Sequence, residues 1–270
     1  MNMSKNKNQA GFTIIELLVA LLAASVVTYA AMSLYITQHK QMIVQEQITD
    51  MQNNVRAAAE LIAKAARMAG YNIPITMNAI ETYNSNPDTI VLTYDSGIIE
   101  NTRLEQTMTS LTADLNCNGH NLTNLIEGSS VYIFDPDAEV GEFVLVTSVL
   151  SGPARIRHDL PVARLYPMGS KVISLNRVRF FVDQPDTLHS DLMIQTYGMT
   201  PQVFAENIIG LNFRYFLDNG SIVTQTATPE KIRMVEIDVV GRTASADEEF
   251  VTNYRTRNFT LRVKVRNLAL

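Results

Sequence analysis

From Phe12 to Ile36 the chain is apolar at nearly every position, and Glu16 is its only charged residue there. As a helix this run rises about 37 Å, enough to cross a hydrocarbon core of about 30 Å. Beyond Tyr35 the pattern changes from continuous to periodic. Val44, Ile48, Met51, Val55, Ala58, Ile62, Ala65 and Ala69 recur at alternating steps of four and three, while Gln45, Gln47, Asp50, Gln52, Asn53, Arg56, Glu60 and Lys64 occupy the other faces. Neither Gly nor Pro occurs between Phe12 and Ala69, so one helix of about 87 Å is predicted, with a membrane half and an amphipathic half. Gly70 supplies its stop.

After Tyr71 the period drops towards two, and Gly, Pro, Asn and Asp punctuate short apolar runs. Strands are predicted at Thr89–Tyr94, Ser130–Phe134, Glu142–Val149, Lys171–Leu175, Val178–Asp183, Asp191–Thr196, Ile209–Leu217, Lys231–Val240 and Arg257–Val265. Asp218-Asn219-Gly220 reads as a turn. The fold class is therefore α+β: a long N-terminal helix whose second half packs on an antiparallel β-rich head. The amphipathic stripe could instead form a coiled coil. It spans only about four heptads, however, and small Ala residues at Ala58, Ala65 and Ala69 suit close packing on a sheet.

Residues 1–11 are polar, with Lys5, Lys7 and no acid, which keeps them on the cytoplasmic side. An ordinary signal peptide is the competing reading, with cleavage after Ala24. Glu16 argues against it. A charge in a spanning helix costs roughly 2.5–3.5 kcal/mol at the bilayer centre, so an intramembrane acid needs a reason and a partner.

Gly11-Phe12-Thr13-Ile14-Ile15-Glu16 after this short basic leader resembles the class III signal of type IV pilins and type II secretion pseudopilins. The resemblance implies that a prepilin peptidase, which is also an N-methyltransferase, cuts between Gly11 and Phe12 and methylates Phe12. It implies residues 1–11 as a removed leader, 12–36 as the transmembrane and filament-core helix, 37–70 as its amphipathic continuation and 71–270 as the head. Glu16 would then meet the ammonium of Phe12 on a neighbouring subunit. Removing one member of such a buried pair strands the other, at a typical 3–5 kcal/mol. The run lacks the proline found in major pilins, so no helix break is expected within it.

Asn53-Asn54-Val55-Arg56-Ala57-Ala58-Ala59-Glu60-Leu61-Ile62, then Ala66-Arg67-Met68-Ala69-Gly70-Tyr71, and the closing Leu261-Arg262-Val263-Lys264-Val265-Arg266-Asn267 resemble PilW-type minor pilins. That group implies a structural, non-enzymatic role in initiating pilus assembly at or near the tip. Its partners would be other minor and major pilins and the inner-membrane assembly platform. The protein would sit in the bacterial inner membrane with a periplasmic head and pass into the pilus. A type II secretion minor pseudopilin is the close alternative. A membrane-anchored adhesin or other ligand-binding protein is the alternative of another class.

Loss of the leader removes two positive charges from a net −5 and leaves −7, which argues against nucleic acid as a partner. Thr260, Arg262, Lys264 and Arg266 form a basic strand face, but Glu236 and Asp238 on Lys231–Val240 would neutralise it if the two strands pair. Cys117 is the sole cysteine, so no intrachain disulfide can form, and it is either a buried small apolar group or a spare thiol.

Asp114, Asn116 and Asn118 before Gly119 match the opening of a calcium loop, and some pseudopilins bind Ca2+. The twelfth position is Leu125 rather than the bidentate Glu, so a turn stabilised by Asn and Asp side chains is the expected alternative. Asp135-Pro136-Asp137-Ala138-Glu139 reads as a solvated acidic turn. His39, His120, His158 and His189 lack metal-ligand spacing. His189-Ser190-Asp191 holds the residue types of a triad, but triads are defined by geometry rather than adjacency.

Overall fold

A computed structural model describes residues 12–150, 152–184, 190–247 and 254–268. One α-helix, α1, runs unbroken from Ile14 to Met68. The strands that follow are β1 (Ile80–Tyr83), β2 (Thr89–Asp95), β3 (Leu115–Asn116), β4 (Ser130–Asp135), β5 (Val140–Leu150), β6 (Arg155–His158) and β7 (Lys171–Ile173). Next come β8 (Leu175–Asp183), β9 (Asp191–Thr196), β10 (Gln202–Ala205), β11 (Ile208–Leu217), β12 (Ile222–Val223), β13 (Ile232–Arg242) and β14 (Thr256–Lys264). The chain divides into two compact units, Met1–Thr49 and Asp50–Leu270.

In the first unit every described side chain from Phe12 to Ile43 is exposed. An 18-residue stretch of this helix has a mean hydropathy of 2.2, long and apolar enough to cross a membrane. Two of its hydroxyls turn back on the helix: Ser25 Oγ donates to Leu22 O at 2.8 Å and Thr28 Oγ1 to Ala24 O at 2.7 Å. These two hydroxyl protons are thus satisfied within the helix, without water.

The second unit holds three antiparallel sheets, ordered β1-β2-β8-β9-β10, β12-β11-β13-β14 and β3-β6-β5-β4-β7. Its helical portion buries Met51, Val55, Ala58, Ala59, Ile62, Ala63, Ala65 and Ala66. Met51 and Val55 lie over Gly241 of β13, so closely that a Cβ there would clash with Val55 Cγ2. The alanines and this glycine together allow the close approach. Val235, Ile237 and Val239 alternate along β13 and are fully buried, as are Leu211, Phe213 and Tyr215 on β11 to within 1%. Fully burying a side chain such as Ile62 contributes roughly 1.5–3 kcal/mol.

Gly70 ends the helix with φ +85°, a left-handed value that favours glycine. Its amide donates to Thr93 O on β2 at 3.0 Å, the Tyr71 amide donates to Met68 O at 3.0 Å, and Asn267 Nδ2 reaches the carbonyls of Met68 and Ala69 at 3.3 and 3.4 Å. The far end of the chain thus caps the helix. The third sheet has its own core, centred on Leu104, Leu115, Cys117, Val131, Ile133 and Ile156.

Several expectations need correction. Strands β1, β3, β6, β10 and β12 carry too few apolar positions to show a period of two. Lys171–Leu175 is not one strand: it divides at Ser174, whose Oγ donates to Asp95 Oδ1 at 3.0 Å and accepts from the amides of Ile98 and Ile99. Asp218-Asn219-Gly220 does turn, with Gly220 at φ +82°. It leads only into the two-residue β12, whereas the main partner of β11 is β13.

Candidate functional site

The helix start is built by two residues. Thr13 immediately precedes Ile14, and its amide and hydroxyl both donate to Glu16 Oε2 at 2.9 Å. The Glu16 amide returns a bond to Thr13 Oγ1 at 3.3 Å. This is a capping box, which satisfies otherwise orphaned helix amides reciprocally. The Thr-x-x-Glu spacing that encodes it is legible in the sequence, although the sequence reading assigned Glu16 only a role between subunits. Capping settles hydrogen bonding without neutralising the charge. Among the described residues Glu16 has no cationic partner, and Phe12 is 87% exposed. Gly11, Lys5 and Lys7 lie outside the described residues.

The two strands pair as expected, but of the basic residues on that face only Arg262 stands opposite an acid. Strands β13 and β14 are antiparallel, with Glu236 opposite Arg262 and Asp238 opposite Thr260. Glu236 is 1% exposed and is held by Arg262 and, from β11, by Arg214. Chiefly the Arg262 bond, then the Arg214 charge, keep its carboxyl below the usual range against the opposing effect of burial. Thr260 Oγ1 donates to Asp238 Oδ1 at 2.7 Å. Lys264 faces Met234 instead of an acid.

The proposed calcium loop is largely engaged within the protein. Asp114 Oδ1 lies 3.5 Å from Arg157 Nε. Asn116 is in β3, where its Nδ2 donates to Gln106 Oε1 at 2.9 Å and its Oδ1 accepts from the Asn118 amide at 3.2 Å. Asp114, the only charged residue of the three, thus faces a guanidinium, and Asn116 closes a turn. Among the described residues no three His, Cys, Asp or Glu side chains converge to hold a metal. Cys117 is buried, and burial pushes its thiol up to about 12.

The 135–139 segment needs correction at its first residue. Asp135 is buried at the end of β4, accepting from the amides of Asp137 and Ala138 and from Arg164 Nη2 at 3.0 Å. Only the residues after it are solvated. Of the histidines, His39 stacks on Tyr35, His120 meets Glu105 Oε1 at 3.0 Å, and His158 lies between the carbonyls of Leu160 and Ala113. His189 lies outside the described residues. Asp191 directs Oδ1 to the Asn207 amide at 3.0 Å.

Comparison with known proteins bears on the leader and the apolar helix. The family model described as the prokaryotic N-terminal methylation motif matches residues 6–32. That match takes in part of the polar leader, Gly11, Phe12, Glu16 and most of the apolar run, and it does not extend into the head. Among solved structures, a type IV-like pilin from Thermus thermophilus is similar at 8% identity and a TM-score of 0.40, covering 81% of this chain and 98% of its own. At that level nothing is transferred from it. No curated protein matches the chain.

Proposed function

We propose that this chain is a PilW-type minor pilin that acts in initiating type IV pilus assembly, at or near the tip. In this reading the prepilin peptidase cuts between Gly11 and Phe12 and methylates Phe12. The helix holds the protein in the bacterial inner membrane with a periplasmic head until the assembly platform passes it to other minor and major pilins. Glu16 carries the reading. A lone acid inside a methylation-motif helix, capped but not neutralised, is explained by the ammonium of Phe12 on a neighbouring subunit.

Gly11→Asp tests the processing step. The uncleaved precursor is expected to stay in the membrane while the parent loses its leader. Normal trimming of the variant would overturn the reading. Deleting the gene then separates the two machines: loss of surface pili supports the pilus, and loss of secreted enzymes with pili intact supports a secretion pseudopilin.

A further inference from the structure

The first sheet carries a groove that the assembly reading leaves without a use. It has a volume of 590 Å³ and lies wholly within the head. Tyr83 of β1 and Tyr197, just after β9, bound it, and Val91, Arg177, Arg179 and Gln195 line it between them. Strand register explains the grouping. Val91 stands opposite Arg179 and Arg179 opposite Gln195, so one row of side chains crosses β2, β8 and β9. The tyrosines stand at opposite corners, three strand spacings apart across the sheet, roughly 14 Å, and four residues along it, roughly 13 Å.

Most of the groove is fixed before any ligand arrives. Arg177 Nη2 donates to Glu81 Oε1 and Oε2 at 2.7 and 2.9 Å, and the Tyr83 hydroxyl donates to Glu81 Oε2 at 2.9 Å. The Tyr197 ring lies with its centroid 4.5 Å from that of Phe143. Arg179 is the exception. It has no carboxylate partner among the described residues, and its guanidinium sits 4.4 Å over the Phe181 ring. The site therefore presents one uncommitted, preorganised cation between two exposed aromatic rings, in a protein of net charge −5.

We propose that this groove binds an acidic oligosaccharide, its sugar carboxylate on Arg179 and its ring faces on Tyr83 and Tyr197. The planar guanidinium fork matches a carboxylate, and Gln195, whose Nε2 is held by Met199 O at 3.2 Å, keeps Oε1 to accept from a sugar hydroxyl. Ser85 and Thr89 add hydroxyls to the lining, so the two tyrosine rings stand beside a largely polar floor, as a sugar with one apolar face and a rim of hydroxyls requires. Two competitors fit less well. An extended peptide gains its main-chain bonds at a sheet edge, and this groove lies on a sheet face. A nucleic acid needs several cations for its phosphates, and Arg177 is already committed to Glu81.

Calorimetry on the full chain in detergent micelles, with oligogalacturonate as the acidic probe, tests the proposal. Binding is expected, and it should weaken roughly tenfold or more for the methyl-esterified probe and for Arg179→Gln. Lys264→Gln, on a different sheet, should bind like the parent. The proposal is overturned by absence of binding, by unchanged binding in Arg179→Gln, or by tighter binding of polyglutamate or oligo-dT. Gly11 processing does not depend on this groove, so failure here leaves the assembly reading standing.

Discussion

Two carboxylates lie where a charge is costly, and the two regions that hold them satisfy it differently. In the head, Glu236 is buried between guanidinium groups from the strands on either side, and its charge is matched within the chain. In the apolar half of the helix, Glu16 has the amide and hydroxyl of Thr13 and, among the described residues, no cation. The same contrast holds for apolar surface. Residues 51–66 of the helix bury Val55, Ala58 and Ile62, while Leu18, Leu21 and Val26 are all more than half exposed. The head is complete in itself. The described apolar residues 12–36 stay exposed, a surface that the proposed function would cover with lipid first and then with other subunits.

Substitutions can break that contrast, and the largest effect is expected at Glu16. Glu16→Ala should abolish incorporation into filaments, because the ammonium of a neighbouring Phe12 would be left unpaired at about 3–5 kcal/mol. The unfolding midpoint of the head should not move; filaments containing the variant at parental levels would refute the pairing. Next in size is a matched pair of truncations. Ile62→Ala should destabilise the head by about 2–5 kcal/mol in denaturant unfolding, whereas Leu22→Ala should leave the same transition where it was. Equal effects would erase the distinction between the two halves.

A smaller effect concerns Asp88, which is 4% exposed and accepts the Phe213 amide at 2.9 Å. Burial raises its carboxyl above the ordinary range, so the folded state holds the proton more tightly than the unfolded chain does. Its contribution is complete below the unfolded pKa and is lost as pH rises through the raised folded value. Stability measured against pH should therefore shift in favour of Asp88→Asn as pH increases over that window, and a flat difference would refute it. Cys117 gives the smallest effect. With its thiol raised to about 12 and no exposure, it should resist alkylation at neutral pH in the native protein and react fully after denaturation.

Much of this was legible along the chain because it rests on local periodicity. The helix, its stripe and its stop at Gly70 follow from neighbours three and four apart, and the alternation of Glu236 and Asp238 with Val235, Ile237 and Val239 follows from neighbours two apart. What was not legible depends on distant partners. That β2 pairs with β8, that Arg177 is committed to Glu81, and that Asn267 caps the helix are contacts between segments about 80 to 200 residues apart. Local pattern carries no record of them. The Asn-rich loop is a similar case: Arg157, from a distant strand, stands against its one charged residue, Asp114, a contact that the local spacing could not show.

The most direct measurement is the mass of the mature N-terminus from native membranes. The account predicts a chain beginning at Phe12 and carrying one added methyl group. A chain beginning at Ser25, after cleavage of an ordinary signal peptide, would remove Glu16 altogether and contradict it.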